Sequence, residues 1–105
     1  MLYDHRTYTC RPGTIKKHLE IYLEHGYPTQ TKHLGKPLLY AMTETGDPNS
    51  YVHVWVYKDA ADRAEKRAAM QADPGWQNYL KISAEAGYLE SQRNQLLVPT
   101  PFFEG

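Results

Sequence analysis

The chain has 105 residues, and its twelve Lys and Arg balance its twelve Asp and Glu, so the formal net charge is zero. That length fits a single domain over residues 1–105, while the balanced charge argues against a nucleic-acid-binding surface and against a polybasic membrane surface. Nine Tyr and two Trp argue against disorder, and without a bilayer-spanning apolar run or a visible signal peptide we expect a cytoplasmic protein with no membrane association.

The N-terminal third predicts a strand followed by an interrupted helix. Residues 2–10 are rich in Tyr and Thr, which favour strands. Thr14 is a candidate N-cap for a helix whose apolar residues recur at helical spacing. Pro28 should kink or interrupt that helix, because proline lacks the backbone N–H of a helical residue. Gly35 is the expected end of the segment.

The middle of the chain predicts a β-hairpin. Residues 37–45 favour a strand, and residues 46–50 are a dense cluster of turn-forming residues. Residues 51–57 alternate aromatic residues or histidine with valine, which is typical of a strand. Two such runs around a turn cluster indicate antiparallel pairing.

The C-terminal part predicts two helices and a last strand. Asp59 can cap a helix over Ala60–Ala72, which is full of strong helix formers. Asp73, followed by proline, marks a second helix start with a buried stripe that includes Trp76, Tyr79 and Leu80, and Gly87 ends it. Residues 88–98 complete the pattern as a strand.

The predicted order β-α-β-β-α(α)-β is typical of an α+β, ferredoxin-like βαββαβ fold. Such a fold has a four-stranded antiparallel sheet with helices on one face. We expect the first and third strands to form the central pair.

The third strand has two chemically different faces, because side chains alternate along a strand. One face carries valines and the other aromatic residues and histidine: Val52, Val54 and Val56 against Tyr51, His53, Trp55 and Tyr57. We expect the valines to pack against the helices, which would leave the aromatic face in water. Soluble monomers rarely expose so large an apolar patch. A second copy should therefore cover it, giving a homodimer in which two sheets enclose a barrel.

At these residues the sequence closely resembles the NIPSNAP family. The resemblance rests on five segments that together span almost the whole chain: Tyr3 to Tyr8 (Tyr-x-x-Arg-x-Tyr), Pro12–Gly13, His53 to Tyr57 (His-x-Trp-x-Tyr), Asp73 to Trp76 (Asp-Pro-x-Trp) and Pro99 to Phe102 (Pro-Thr-Pro-Phe). It implies a ferredoxin-like subunit that forms a dimeric α/β barrel. It implies no reaction, because the activity of the family is poorly defined, and fold relatives include cofactor-independent monooxygenases and haem-dependent chlorite dismutase-like proteins.

Four side chains are the candidates for a ligand site in the barrel interior: Arg6, Tyr8, His53 and Trp55. Arginine can fork onto an anion, aromatic rings can pack an apolar body, and histidine can move a proton near neutral pH. Such a set suits a small aromatic or carboxylate-bearing ligand. The residues also allow a purely structural interior, with Arg6 paired to Asp4 or Glu44, or a catalytic site.

Three functional classes therefore stay open: a small-molecule-binding module, an enzyme of the cofactor-independent monooxygenase kind, and an interaction protein that docks a partner through its charged helices. We expect no cofactor, because the sequence has no Gly-x-Gly-x-x-Gly or P-loop pattern and no haem attachment motif. We expect no metal, because His18 and His25 lie two helical turns apart, near 10 Å at about 1.5 Å per residue. These histidines favour the helix surface, and the single cysteine, Cys10, favours a buried hydrophobic role.

Overall fold

The structure is a computed structural model that describes residues 1–103. Its strands are β1 (Leu2–Cys10), β2 (Leu39–Met42), β3 (Ser50–Tyr57) and β4 (Leu89–Leu97). Its helices are α1 (Ile15–Ile21), α2 (Tyr27–Leu34), α3 (Ala60–Ala72) and α4 (Pro74–Ala86), with a π-helical turn over Tyr22–Gly26. Within the described range the strands form one antiparallel sheet in the order β2-β3-β1-β4. The predicted ferredoxin-like α+β fold, with β1 and β3 at its centre, is confirmed.

The starts and ends of α3 and α4 lie where the capping residues predicted them. Asp59 Oδ1 accepts the backbone N–H of Asp62 at 2.8 Å, and Asp73 Oδ1 accepts that of Gly75 at 2.8 Å. Gly87 follows α4 with a φ of 67°, a left-handed conformation that glycine adopts without a steric penalty. Local side-chain chemistry therefore sets the bounds of both helices.

The predicted first helix is divided by the π-helical turn. Thr14 lies at the N-cap position, but its hydroxyl donates to the carbonyl of Arg11 at 2.7 Å and makes no capping bond to the helix. Pro28 lies in the first turn of α2, directly after this π-helical turn, the part of a helix in which proline is best tolerated. Gly35 ends α2, as predicted, with a φ of 79°.

The facing predicted for β3 was wrong. Tyr51, Trp55 and Tyr57 are each 1% exposed and pack on the helix side of the sheet, whereas Val52 and Val56 are only half-buried on the opposite side. Alternation separates the two faces of a strand but does not say which one the helices cover. Large aromatic rings fill the wide space between a helix layer and a sheet better than valines do.

The hydrophobic core lies between the helices and this aromatic face. Its buried members come from α2, α3, α4, the π-helical turn and β3: Tyr22, Leu34, Trp55, Tyr57, Met70, Trp76 and Tyr79. Trp76 and Tyr79 confirm the predicted buried stripe of α4, while Leu80 was wrongly included because it is 49% exposed. The chain thus covers its own aromatic face.

The opposite face of the sheet, which we call the open face, presents a mixture of valines and polar residues. His5 and Thr7 of β1 lie opposite Val54 and Val52 of β3. Eight of the nine residues of β4 are exposed. Within residues 1–103, no helix combines the length and apolar character needed to cross a membrane.

Candidate functional site

A cavity of about 180 Å³ lies between the helix layer and the aromatic face of the sheet. Its walls come from all four strands, from α2, α3 and α4 and from the π-helical turn: Arg6, Tyr8, Tyr22, Gln30, Tyr40, Tyr51, His53, Arg67, Gln71, Trp76, Tyr79, Leu80, Ser83, Leu89 and Gln92. It is the candidate functional site.

The pairing of β1 with β3 brings three of the four predicted site residues to this cavity. Arg6 lies opposite His53, and Tyr8 lies opposite Tyr51, so these side chains share one face of the sheet. Tyr8 meets the edge of the His53 ring at 4.7 Å between centroids. Trp55 lies beside His53 but does not line the cavity. The cluster that we predicted for the interior of a dimeric barrel therefore lies within a single chain, under its own helices.

His53 is held in one tautomer by Trp55. The indole Nε1 of Trp55 donates to His53 Nδ1 at 2.7 Å. An indole N–H can only donate, so Nδ1 must be the unprotonated acceptor, and the proton of the neutral ring lies on Nε2. His53 Nε2 is buried, has no hydrogen-bond partner among the described residues and belongs to a residue that lines the cavity.

Two effects keep the His53 ring neutral. Burial, and then the positive charge of Arg6, lower the pKa of His53 to about 3. Its side chain is only 2% exposed, so little solvent reaches it. At neutral pH His53 is therefore a hydrogen-bond donor through Nε2 and carries no charge.

Arg6 is positioned by two neighbours on its own strand. Its guanidinium donates from Nη1 to Asp4 Oδ2 at 3.0 Å and from Nε to the Tyr8 hydroxyl at 3.0 Å. Asp4 is fully buried and also accepts from Arg63 at 3.1 Å and from Asn94 at 3.0 Å. Burial would raise the pKa of Asp4, but the hydrogen bond from Asn94 and the charge of Arg6 lead the interactions that lower it. Arg6 is therefore paired with Asp4, as expected if these residues formed a purely structural interior.

Parallel rings form the sheet side of the cavity. Tyr40 stacks on His53 with centroids 4.7 Å apart and planes 25° apart, and on Tyr51 at 5.8 Å and 17°. Tyr22 stacks on Tyr40 at 5.1 Å and 20°. Tyr79 meets the edge of Tyr22 at 5.7 Å from the helix side. An aromatic ring in this space would therefore pack against other aromatic rings.

Four tyrosines that line the cavity, Tyr22, Tyr40, Tyr51 and Tyr79, stay protonated. Burial raises the pKa of Tyr79 to about 12 and raises those of Tyr22, Tyr40 and Tyr51 further above their usual value. The Tyr22 hydroxyl, carried on the π-helical turn, donates to the side-chain carbonyl of the buried Gln30. The tyrosine end of the cavity is thus uncharged and mainly apolar.

Some side chains lie elsewhere than predicted. His18 is buried, and its Nε2 lies 2.7 Å from the Tyr51 hydroxyl, so the prediction that it lies on the helix surface was wrong. His25 is half-buried and lies 3.4 Å from Glu24. Cys10 is buried, as predicted, and burial raises the pKa of its thiol. Among residues 1–103 no group of three or more His, Cys, Asp or Glu could hold a metal ion.

Several residues that line the cavity were not singled out from the sequence. Trp76 and Tyr79 had a signal, since their helical spacing predicted burial, but burial alone does not indicate a cavity. Arg67 looked like one charge of a solvated helix face. The sequence around Gln30 and Tyr40 did not indicate that either residue lines a cavity. The position of Gln30 depends on the π-helical turn, and that of Tyr40 depends on the pairing of β2 with β3.

A family model described as NIPSNAP matches residues 3–104 of the chain. The human protein NipSnap homolog 3A is 24% identical over 102 residues, which are 97% of this chain and 40% of that protein. The chain therefore spans 40% of the length of the curated relatives that it matches.

Solved structures show the same fold. An uncharacterized NIPSNAP domain protein from Burkholderia xenovorans is 32% identical, with a TM-score of 0.91 and 100% of both chains covered. An antibiotic biosynthesis monooxygenase matches with a TM-score of 0.65 at 20% identity, covering 96% of this chain and 100% of that one. At that identity the likeness shows a shared fold alone.

Proposed function

The chain belongs to the NIPSNAP family, and we propose that it binds a small molecule in the cavity between its helices and the aromatic face of its sheet. The ligand is a single aromatic ring that carries an oxygen able to accept hydrogen bonds. This assigns the small aromatic or carboxylate-bearing ligand predicted from the sequence to a site within each subunit.

The observation that carries the proposal is the unsatisfied Nε2 of His53. A buried polar atom without a partner costs about 1–3 kcal/mol, so folded proteins rarely leave one. Here the atom belongs to a residue that lines a cavity, and the Trp55 bond holds its N–H in place as a donor. A ligand oxygen that reaches this atom, once the side chains covering it shift, would remove this cost.

The size of the cavity and its walls restrict the ligand. Its volume of about 180 Å³ is close to that of an apolar cavity of about 150 Å³ that accommodates benzene. A single substituted ring fits this space, whereas the macrocycle of a haem is far too large for it. Tyr40, Tyr51 and His53 stack on one another and give this space aromatic walls for such a ring.

The geometry does not favour His53 as a catalytic base, the role that a monooxygenase-like enzyme would give it. Its Nδ1 accepts from Trp55 and its Nε2 carries the proton, so neither nitrogen is placed to take a proton from a substrate. Its low pKa opposes protonation as well. Binding is therefore the function that these contacts support best.

Isothermal titration calorimetry and thermal shift with benzoate, phenol and toluene test the proposal. We expect the two oxygen-bearing rings to bind and to raise the unfolding temperature, because a ligand at 100 times its Kd adds about 2.7 kcal/mol of stability. Toluene, which has no acceptor, should bind at least tenfold more weakly. Equal binding of all three, or of none, would contradict the proposal.

Two variants of His53 serve as matched controls. His53→Gln keeps an acceptor for Trp55 and an N–H donor for the ligand, whereas His53→Leu removes both. Binding should survive in the first variant and fall at least tenfold in the second. If the Leu variant does not fold, a shift of the His53 Nε2–H resonance during titration of the wild type gives the same information.

We also propose that the chain forms a homodimer through the open face of the sheet. Leu39 and Leu97 on that face are 48% and 40% exposed, and Val52 and Val56 add half-buried apolar surface between them. A two-fold dimer needs only one self-complementary patch, which makes it the simplest way to cover this surface.

Sedimentation velocity tests the dimer. We expect the wild type to sediment as a dimer and Val52→Lys, at the middle of the open face, to sediment as a monomer that keeps its circular dichroism spectrum. Ala69→Lys, which adds the same charge at an exposed position of α3, should remain dimeric. A wild type that is monomeric at high concentration would contradict this proposal and leave the binding proposal intact.

A further inference from the structure

Resting on the proposed function, we propose that the cavity takes up an ionisable aromatic ligand as its oxyanion, so that a phenol binds as the phenolate. The oxygen lies beside Arg6, Tyr8 and His53, and the ring lies among the tyrosines. The proton leaves the ligand for solvent, and the oxygen keeps the electron pair of the broken O–H bond.

The charge around the cavity favours an anion. Two arginines line it, Arg6 from β1 and Arg67 from α3, and no Asp or Glu among the described residues does so. Asp4 lies next to Arg6, but its carboxylate is shared among Arg6, Arg63 and Asn94. The potential in the cavity is therefore positive, and opposite charges at close range stabilise an ionised group.

The hydrogen-bond groups beside Arg6 favour the same form. His53 offers its Nε2 proton, since Trp55 occupies the other nitrogen. The Tyr8 oxygen accepts from Arg6, and a phenol that accepts still has its own proton to donate. A phenolate oxygen accepts from both donors, whereas a neutral phenol would bring a third proton into a place that already has two.

The remaining titratable groups determine the orientation of the ligand. They face the cavity from the π-helical turn, β2, β3 and α4: Tyr22, Tyr40, Tyr51 and Tyr79. Burial raises the pKa of each of these phenols, so this end of the cavity resists ionisation. The charged oxygen therefore lies on the β1 side of the cavity, next to Arg6.

The neutral ring of His53 supports the binding of the ligand as an anion. Burial lowers the pKa of His53 most, and the charge of Arg6 lowers it further. The charge of Asp4 opposes this decrease in the pKa, while His5 and Arg67 add smaller decreases. A potential that opposes a cation on the imidazole stabilises an anion in the adjoining space. His53 would therefore not accept the proton that the ligand loses, and a buffer ion or water takes it.

Titration of bound 4-nitrophenol tests the inference, because its neutral and ionised forms absorb at different wavelengths. We expect the pKa of the bound phenol to lie about one to three units below that of the free phenol, the range for a charge partner within a few ångströms. Calorimetry at a pH below the free pKa, in buffers of different ionisation enthalpy, should show one proton released on binding. 4-Nitroanisole, which cannot ionise, should bind at least tenfold more weakly.

Arg67→Gln and Lys66→Gln are a matched pair of variants. Both remove one positive charge from α3, but only Arg67 lines the cavity, whereas Lys66 pairs with Asp62 at the surface. The first variant should raise the pKa of bound 4-nitrophenol, and the second should leave it unchanged.

The outcomes separate the two proposals. Equal binding of 4-nitrophenol and 4-nitroanisole, with an unshifted or raised pKa for the bound phenol, would overturn the oxyanion inference and leave ring binding intact. A failure of both compounds, and of benzoate and phenol, to bind would overturn both proposals. An equal effect of Arg67→Gln and Lys66→Gln would show that general surface charge, and not the cavity, causes the shift.

Discussion

His18 Nε2 lies 2.7 Å from the Tyr51 hydroxyl, and both side chains are buried where α1 meets β3. Burial lowers the pKa of His18, so its ring is neutral and one phenol–imidazole hydrogen bond joins the helix to the sheet. Tyr51→Phe leaves the imidazole nitrogen without that partner and should cost about 1–3 kcal/mol of unfolding free energy. Denaturant titration measures the loss.

The double variant His18→Phe/Tyr51→Phe is the control for that bond. Replacing both partners with apolar groups leaves no unsatisfied atom, so its cost should be smaller than the sum of the two single costs. Strictly additive costs would show that the two groups do not stabilise each other.

The tautomer of His53 should depend on Trp55. In Trp55→Phe the imidazole loses the donor at Nδ1, so we expect nitrogen chemical shifts of a tautomer mixture in place of the single Nε2–H form. The unsatisfied nitrogen should add about 1–3 kcal/mol to the cost of the smaller ring. Trp76→Phe, in the same core, should leave the His53 tautomer unchanged; a mixture in that variant too would indicate a general loosening of the core.

Stability should fall as the pH drops below about 6.5, the pKa of an unperturbed histidine. The folded-state pKa of His53 is about 3, so between these values the unfolded chain binds a proton that the folded chain does not. Each unit of pH in that window should then cost up to about 1.4 kcal/mol for this residue. Urea titrations between pH 6.5 and 5, above most carboxylate titration, should show a shallower slope for His53→Gln than for the wild type, and equal slopes would contradict the assignment.

Gly26 should not tolerate a side chain, although its φ of −107° suits any residue. A Cβ built there would lie 2.8 Å from Tyr22 Cδ1 and 3.0 Å from Tyr79 Cγ. Gly26→Ala should therefore cost about 1–3 kcal/mol through overpacking, measured by denaturant titration. A gain of about 1 kcal/mol, as helix propensity alone would give, would show that these rings move aside freely, and Asn78→Ala at an exposed site of α4 should be nearly neutral.

Asp73 should stabilise the fold mainly through its capping hydrogen bond to Gly75. Its carboxylate accepts from Gly75 N–H and also lies 2.9 Å from His33 and 3.3 Å from Lys32. Asp73→Ala loses all three contacts and should cost about 1–2 kcal/mol. Asp73→Asn keeps the cap and loses the charge, and because Lys32 is 69% exposed we expect a loss below about 1 kcal/mol. Similar losses in thermal unfolding of both variants would mean that the ion pairs dominate.

Much of the fold was predictable because its signals are local. The caps at Asp59 and Asp73 and the terminal Gly35 and Gly87 act on neighbouring backbone groups, so a short stretch of sequence contains the whole interaction. The alternation in β3 likewise showed two different faces. It could not show which face the helices cover, because that depends on contacts between residues far apart in the sequence.

The sequence predicted three of the residues that line the candidate site. It did not predict that the site lies between the helices and the sheet of one chain. Arg6, Tyr8 and His53 meet as expected because strand pairing fixes their alignment. Trp55 belongs to the group as the partner of His53, and the sequence contained no sign of that bond. The opposite wall depends on the π-helical turn, which places Tyr22 and Gln30 at the cavity and has no reliable signature in sequence.

The exposure of β4 has a consequence for local unfolding. This strand has β1 as its one neighbour in the sheet, and eight of its nine residues are exposed. Backbone hydrogen bonds hold it, with little help from side-chain burial, so in an isolated subunit it should fray before the central strands and exchange its amide hydrogens sooner. Because Asn94 of β4 also donates to Asp4, each opening of this edge would remove one of the contacts that hold the carboxylate beside Arg6.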